Sequence, residues 1–349
     1  MLQLLAFDDD TLLAAAVAES LGCPWAAVQR HRFPDGETRL RLPPVLPPHV
    51  VFLRGLQDPN AKLTELLLAA AGARELGAQR LTLVSPYLAY MRQDMAFTPG
   101  EVVSQRHLGA LLAAAFEAVV TVDPHLHRVA SLDEVLPGRR GLSLSAAPLL
   151  GVHVARQVPG ALLVAPDEEA GQWVRAAAQA AGLAHAVCHK QRYGDREVDV
   201  ALPDVDVHGR AVVLLDDVAS TGRTLVAAAR GALAAGALSV DVAVTHALFI
   251  GQALAEVHAA GVRQVWSSDC VPHASNAVSV APLLADAVQR LSPTSAAGTH
   301  PHRLPTCPWA SSWSSLRLAR PCPSPCWTAW AACCWPPASS CRTPTSCMR

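Results

Sequence analysis

The 349-residue chain lacks any uninterrupted apolar run of about 18 residues, the length that a membrane-spanning helix requires. Its first residues, MLQLLAFDDD, carry three aspartates where a signal peptide needs basic and then apolar residues. The formal net charge is only −1, so no global charge attracts nucleic acid or acidic lipid. From these absences we expect a cytoplasmic protein that binds neither nucleic acid nor a membrane.

Lysine is nearly absent from the chain. Lys62 and Lys190 stand against 26 arginines, so arginine supplies almost all of the positive charge. An ammonium group on a flexible stem is not interchangeable with the planar guanidinium group. Lys190, which lies in a charged segment that contains glycine, is therefore a candidate functional cation.

Acidic residues and lysine are both missing from residues 291–349, which hold seven of the ten cysteines and ten of the 27 prolines. This segment has no helical or strand periodicity, and prolines interrupt every window. Its cysteines do not form two close ligand pairs at the spacing of a zinc module. We expect a low-complexity, disordered tail, or a reading frame that changes after a natural end near Arg290.

Short apolar segments alternate with alanine- and leucine-rich segments along residues 1–290. Apolar strands that alternate with helices predict parallel sheets covered on both faces. Two series of similar length and order predict an α/β fold with two similar doubly wound halves, residues 1–145 and 146–290. The predicted strands are 2–7, 50–53, 81–85 and 119–122, then 162–165, 184–188, 211–215, 240–245 and 264–267; the predicted helices include 62–76, 102–116, 171–181, 224–235 and 252–260.

Residues 216–224, with the sequence DDVASTGRT, follow a predicted strand and precede a predicted helix. Ligands in doubly wound folds bind at the carboxyl ends of the strands. Backbone N–H groups and hydroxyls at a helix start suit a phosphate, whereas Asp216 and Asp217 suit the hydroxyls of a sugar or a Mg²⁺ ion. Alternatively, Ser220 or Thr221 only caps the helix. The pattern resembles the loop that binds 5-phosphoribosyl 1-diphosphate (PRPP) in type I phosphoribosyltransferases and PRPP synthetases.

Other polar segments also lie at predicted strand ends. The FPDGE segment at 33–37 contains an ordinary turn signal. The RQD segment at 92–94 places a cation, an amide and a carboxylate after a strand, which fits either a nucleotide site or a solvated loop. His125 and Asp167 follow two further strands. Asp167 could share one Mg²⁺ with His125, or it could cap the helix that we expect to follow.

In this order the segments resemble the ribose-phosphate diphosphokinase, or PRPP synthetase, family over residues 1–290. FPDGE and RQD are absent from ordinary phosphoribosyltransferases, which also lack the duplicated half. The Ser-Thr-Gly form of the phosphate loop is similar to the shorter members of the family. The segments that carry the resemblance are FPDGE, YMRQD, VDPH, APD, KQR, DDVASTGRT, THALF and VAPLL.

The resemblance implies transfer of the β,γ-diphosphoryl group of ATP to the 1-hydroxyl of ribose 5-phosphate, giving PRPP and AMP for nucleotide biosynthesis. It also implies Mg²⁺ as cofactor and a homo-oligomer in which the FPDGE segment contributes to a neighbouring subunit's site. The residues implied by motif are Phe33, Asp35, Glu37, Arg92, Gln93 and Asp94 for ATP; Asp216, Asp217, Ser220, Thr221, Gly222, Arg223 and Thr224 for ribose 5-phosphate; and His125 and Asp167 for the metal.

The segment HKQRYGDR at 189–196 matches the mobile catalytic loop of the family, although in isolation it is typical of a solvated hairpin. The match implies that Lys190 and Arg192 stabilise charge on the transferred phosphates. A catalytically silent regulatory partner is the main alternative, but we expect such a protein to lose these cations or the metal ligands. A related diphosphokinase that acts on another pentose phosphate would keep them all.

Overall fold

The computed structural model describes residues 2–126, 128–193, 197–201 and 205–291, with the backbone alone for 189–193 and 197–201. The tail predicted for residues 291–349 lies outside the described residues except for Leu291, which is the last residue of a helix. The described part contains two six-stranded sheets, two hairpins and eight α-helices. None of those helices combines the length and the apolarity needed to cross a lipid bilayer.

The first sheet is parallel throughout, with the strand order β2-β1-β5-β6-β7-β8. Its central strands are continuous apolar runs because helices cover both faces. The strands are β1 (Leu2–Ala6), β2 (Trp25–Ala27), β5 (His49–Leu53), β6 (Arg80–Ser85), β7 (Ala118–Val122) and β8 (Arg140–Leu144); β3 (Gln29–Arg32) and β4 (Thr38–Arg41) form a separate hairpin; the helices are α1 (Thr11–Leu21), α2 (Pro59–Glu75), α3 (Ser104–Ala115) and α4 (Ala147–Gln157).

The second sheet repeats this arrangement, with the parallel order β10-β9-β13-β14-β15-β16 and a hairpin after its second strand. The repeated order confirms the predicted fold class of two similar doubly wound halves. The strands are β9 (Leu162–Ala165), β10 (Ala184–Val187), β13 (Ala211–Ala219), β14 (Ser239–Ala247), β15 (Val262–Ser268) and β16 (Asn276–Val278); the hairpin is β11 (His189–Tyr193) with β12 (Glu197–Ala201); the helices are α5 (Gly171–Ala181), α6 (Arg223–Ala234), α7 (Ala253–Ala259) and α8 (Ala281–Leu291).

The final helix of each series packs on the sheet of the other series. Helix α4 follows β8 but packs against α5 and the second sheet. Helix α8 follows β16 but packs against α1 and strands β7 and β8 of the first sheet. The contact between α4 and α5 is close, because a Cβ atom on Gly151 would lie 2.3 Å from the carbonyl oxygen of Ala177. The two sheets therefore exchange helices.

A buried ion cluster lies at the carboxyl ends of β1 and β5. The side chain of Arg54 is fully buried, donates to Glu65 Oε2 at 2.7 Å and also pairs with Asp9. Its guanidinium carbon lies 3.9 Å from the centre of the Phe7 ring. A buried guanidinium requires such partners because an unpaired charge in the interior is strongly unfavourable.

The carboxyl ends of the two sheets meet. Thr245 Oγ1 in β14 donates to Asp123 Oδ2 at 2.7 Å, just after the end of β7. The next residue, His246, has its Nε2 atom 2.9 Å from the carbonyl oxygen of Val122. Residues at the carboxyl ends of strands in both sheets therefore surround one common region.

Candidate active site at the meeting of the two sheets

A charged cluster brings together predicted site residues from both sheets. His125 Nδ1, after β7, lies 3.1 Å from Asp217 Oδ2, which belongs to β13. Arg92 lines a small pocket together with His125 and Tyr87. Asp167, after β9, lies close enough to Asp216 for its charge to raise the pKa of that carboxyl. The structure therefore unites the RQD, VDPH, APD and DDVASTGRT segments at one site.

Asp216 and Asp217 are adjacent carboxyls with raised pKa values. Burial raises the pKa of Asp217 to about 7, despite a hydrogen bond with Asp216 that acts in the opposite direction. Burial, followed by the charges of Asp217 and Asp167, raises the pKa of Asp216 well above its usual range. Raised carboxyl pKa values indicate negative charge without enough compensation. A bound cation or sugar hydroxyls would supply that compensation.

The surroundings of the His125 imidazole favour its neutral form. Burial lowers its pKa, and the positive charge of Arg92 lowers it further, against the opposing charges of Glu169 and Asp216. When Nδ1 carries the proton and donates to Asp217, the ring lone pair lies on Nε2. A neutral imidazole held by a carboxylate in this way is the usual form of a metal-ligating histidine.

Asp123 stands at the turn between β7 and His125 with a left-handed backbone, at φ 38°. Its Oδ2 atom accepts from the Ala146 N–H at 2.9 Å and from Thr245 Oγ1 at 2.7 Å. Its Oδ1 atom accepts from Trp173 Nε1 at 2.8 Å. Burial raises the pKa of this carboxyl, while these hydrogen bonds lower it. The side chain is thus anchored in the protein interior.

The turn between β13 and α6 leaves the start of a helix without a side-chain cap. Strand β13 continues through Asp216 and Asp217 to Ala219, so both carboxyls lie inside a strand rather than after it. No described side chain caps α6, whose N-cap is Gly222 at φ 71°. The alternative that Ser220 or Thr221 caps this helix is therefore wrong. The first N–H groups of α6 point to the turn at which we expect a phosphate.

Asp167 has a local structural role as well. Its Oδ1 atom accepts the backbone N–H of Ala170 at 3.1 Å, one residue before α5 begins. The helix begins at Gly171, as the sequence predicted. The side chain is buried beside the acidic pair, so its turn contact accompanies its place in the charged cluster.

The three residues of the RQD segment are arranged differently. Arg92 is exposed and lines the pocket beside His125. Asp94 is buried, and both of its oxygens accept from Arg128 Nη1, at 2.9 and 3.1 Å. Gln93 Nε2 donates to the carbonyl oxygen of Met95 at 3.1 Å. Arg92 is thus directed to the site, whereas Asp94 holds the segment to Arg128.

The FPDGE residues lie on the exposed tip of the β3–β4 hairpin. Phe33, Asp35 and Glu37 are all exposed. The tip is closed by a bond from the Phe33 N–H to the Glu37 carbonyl oxygen at 2.8 Å and by one from the Glu37 N–H to Asp35 Oδ1 at 3.1 Å. Within the described residues, no hydrogen bond joins this tip to the cluster around His125. The hairpin therefore presents its polar tip to solvent.

Lys190 and Arg192 belong to the corresponding hairpin of the second sheet. They lie in β11, paired in register with Val200 and Val198 of β12. Their side chains, and the residues at 194–196, lie outside the described part of the chain. The two hairpins that carry FPDGE and KQR occupy equivalent places in the two halves.

Sequence reasoning did not identify several residues around this site. Tyr87 lines the pocket, and its ring meets His246 edge-on at 5.0 Å between centroids. Burial lowers the pKa of His246 to about 4, so its ring is neutral. Arg128 and Asp123 have partners that are distant in sequence. In the sequence, only the position of these four residues at or near a strand end could have indicated that they belong to the site.

Comparison with known proteins gives a consistent assignment over most of the chain. The family model for the N-terminal domain of ribose phosphate pyrophosphokinase matches residues 2–115. The family model for a phosphoribosyl transferase domain matches residues 159–269. The two matches divide between the two halves of the structure.

Relatives match over nearly their full length. The chain is similar to the ribose-phosphate pyrophosphokinase of Methanopyrus kandleri, with 36% identity over 82% of this chain and 99% of that protein. It is 31% identical to the ribose-phosphate pyrophosphokinase of Halobacterium salinarum over 82% of this chain and 100% of that protein. The crystal structure of the phosphoribosylpyrophosphate synthetase from Mycobacterium smegmatis matches with a TM-score of 0.72 and 25% identity, covering 83% of this chain and 98% of that one.

Proposed function

The chain belongs to the ribose-phosphate pyrophosphokinase family, and we propose that it transfers the β,γ-diphosphoryl group of ATP to ribose 5-phosphate. The oxygen of the 1-hydroxyl bonds to the β-phosphorus while the bond from that phosphorus to the α,β-bridging oxygen breaks. The hydroxyl loses its proton, and the products are PRPP and AMP. The observation that carries the proposal is the 3.1 Å contact between His125 and Asp217, because it joins a motif of each half at one site.

Ribose 5-phosphate binds to the second half in this proposal, residues 146–290. The 5-phosphate accepts from the turn Ser220–Gly222 and from the first N–H groups of α6, with Arg223 and Thr224 beside them. The uncapped start of α6 supports this placement. Asp216 and Asp217, which precede this turn in β13, then face the ribose hydroxyls. Such hydroxyls can donate to carboxylates that lack other compensation.

ATP binds on the side of the first half, residues 1–145. Arg92 contacts its phosphates, and Gln93 and Asp94 hold the segment that carries Arg92. The exposed tip with Phe33, Asp35 and Glu37 contacts the base in the site of a neighbouring subunit, which requires a homo-oligomer. The exposure of this tip supports the arrangement. The charged substrates also support a cytoplasmic location, since phosphates do not cross membranes unaided.

The donor set at the site fits Mg²⁺. The Asp216 and Asp217 carboxyls, whose pKa values are raised, lie in one cluster with Asp167 and with the His125 imidazole, whose pKa is lowered. In the described part of the chain, no three His, Cys, Asp or Glu side chains form a complete metal site by themselves. Mg²⁺ is commonly held by one or two carboxylates together with substrate phosphates. When bound, it would neutralise charge on the phosphates.

The cations Lys190 and Arg192 close over the transferred phosphates in this proposal. The backbone register of β11 supports a hairpin that can carry them together. Stabilising the charge that develops on a transferred group contributes roughly 3 kcal/mol for each preorganised donor. The matching hairpin of the first half is the one with the FPDGE tip.

The test is formation of AMP and PRPP by the full chain from ATP, ribose 5-phosphate and Mg²⁺. We expect AMP rather than ADP, because the β-phosphorus is attacked. Lys190→Ala should lower the rate by about a hundredfold. Arg290→Ala, which removes a cation that is 70% exposed on α8, is the matched control and should leave the rate unchanged.

Each alternative gives a different result. A folded chain that binds both substrates and forms no AMP would indicate a silent regulatory partner. Activity that is higher with another pentose phosphate than with ribose 5-phosphate would indicate a related diphosphokinase. Equal rates for wild type and Lys190→Ala would contradict the role of the β11–β12 hairpin.

A further inference from the structure

Three contacts join the end of β7 in the first sheet to the second half of the chain. One is the contact between His125 and Asp217, at 3.1 Å. The second joins His246 to the carbonyl oxygen of Val122, at 2.9 Å. The third is the set of hydrogen bonds to the Asp123 carboxylate. We propose that Asp123 is a positioning residue, which sets the place of His125 relative to Asp217 across the two halves.

The partners of Asp123 come from three separate elements. The Ala146 N–H is at the start of α4, Trp173 is in α5 and Thr245 is in β14. Strand β14 belongs to the second sheet and helices α4 and α5 pack on it, whereas Asp123 follows a strand of the first sheet. The side chain of Asp123 thus connects the turn that contains His125 to three elements of the other half.

The link to Asp217 is short. Strand β14 pairs with β13 in parallel register, with Asp216 opposite Val244 and Val218 opposite His246. Thr245, which donates to Asp123, therefore lies in the strand that is hydrogen-bonded to the strand of Asp217. His125 is only two residues from Asp123. Two contacts therefore join the two sheets side by side. One is between His125 and Asp217, and the other is the hydrogen bond from Thr245 to Asp123.

The chemistry of this position requires a carboxylate. The Ala146 N–H, the Trp173 Nε1–H and the Thr245 hydroxyl donate to the two oxygens of Asp123, at distances of 2.7 to 2.9 Å, and the Ser145 side chain is a further hydrogen-bond partner. An amide of the same size offers one oxygen, and its NH₂ group would face a donor on the other side. A buried donor without an acceptor is unfavourable, so Asp123→Asn must rotate or displace the turn. The left-handed backbone of Asp123, at φ 38°, allows few other conformations in which its side chain points into the interior.

The experiment is a double-mutant cycle on AMP formation by the full chain, with wild type, Asp123→Asn, His125→Ala and the double variant. This readout rests on the proposed function. We expect Asp123→Asn alone to lower kcat/KM by about 10- to 100-fold, the usual effect of losing a group that orients a ligand side chain. In the His125→Ala background the same change should have little further effect, because the residue that it positions is gone.

A second readout does not depend on activity. In histidine-labelled protein, the imidazole signal of His125, assigned by its loss in His125→Gln, should shift in Asp123→Asn. Trp173→Phe and Thr245→Val each remove one donor, so they should shift it less. Asp241→Asn is the matched control, because it alters an equally buried carboxylate of β14 that pairs with Arg263 instead. That control should leave the His125 signal unchanged.

The outcomes separate the two proposals. If wild type forms no AMP, the proposed function fails, and the histidine signal still tests Asp123. If wild type is active but the cycle is additive, or if the His125 signal does not move, Asp123 has only a structural role and the inference is overturned. If Asp123→Asn does not fold, Trp173→Phe and Thr245→Val decide the question through the same two readouts.

Discussion

Replacing Gly151 with alanine tests how closely the exchanged helix α4 packs against α5. The new Cβ atom would lie 2.3 Å from the carbonyl oxygen of Ala177 and 2.8 Å from its carbonyl carbon. The obstacle is backbone, so no side-chain rotation can relieve it. Helices α4 and α5 must move apart by roughly 1 Å to restore ordinary contact distances.

The magnitude follows from two opposing effects. Overpacking of this kind costs about 1–3 kcal/mol, and separating the helices also loosens Leu150 and Val174, which are fully buried at the interface. Alanine gains about 1 kcal/mol over glycine from helix propensity. We therefore expect a net loss of about 1–2 kcal/mol in the free energy of unfolding, which lowers Tm by roughly 2–8 °C.

The assay is thermal and urea unfolding followed by circular dichroism. Gly72→Ala is the matched control, since Gly72 also lies inside a helix but its added Cβ would meet only the end of the Leu42 side chain, at 3.3 Å. The control should be as stable as wild type or slightly more stable. An equal Tm for Gly151→Ala and Gly72→Ala would refute the close helix contact.

Three further predictions concern charge. Arg54→Leu should lower the free energy of unfolding in urea by about 3–5 kcal/mol, because Glu65 loses its buried partner; a loss below about 1 kcal/mol would contradict this. His246 should titrate by NMR near pH 4, where burial places its pKa, rather than near 6.5. Because unfolding restores the higher pKa, the stability that this residue contributes is present above pH 6.5 and is lost as the pH falls toward 4; a midpoint above pH 6 would exclude the burial. Asp217→Asn should lower AMP formation by about a hundredfold, whereas Asp286→Asn on exposed α8 should not; equal rates would remove Asp217 from the site.

The sequence predicted the central elements well because their signals are local. Strand Leu162–Ala165 and helix Gly171–Ala181 have the predicted bounds. The residue pattern of a short apolar run, or of an amphipathic run, shows where the element begins and ends. The edge strands β8 and β16 were not predicted. Their sequences, RGLSL and NAV, contain no buried apolar run, because an edge strand is only partly covered. Strand β13 continues past its apolar run because it pairs with β14 through Ala219.

The candidate site was predictable where motifs place residues at strand ends, as for His125 and Asp217. Contacts between distant residues were not predictable. The pairing of Asp94 with Arg128 joins residues 34 apart, and Trp173 reaches Asp123 from 50 residues away. No spacing rule in a single sequence specifies such pairs. The exchange of α4 and α8 between the sheets was not predictable for the same reason, because the apolar face of either helix would fit either sheet.

The exchanged helices have a consequence for how the chain is made. One face of the first sheet is covered by α1 and α8, and α8 ends at Leu291. Strand β8 completes that sheet at Leu144, so the ribosome still has almost half of the described chain to add before the covering helix exists. At a translation rate of about 5–20 residues per second, this apolar face stays uncovered by α8 for roughly 7–30 seconds. The N-terminal half is therefore the part of the nascent chain that most needs protection by chaperones, and it reaches its native packing only when the other half is complete.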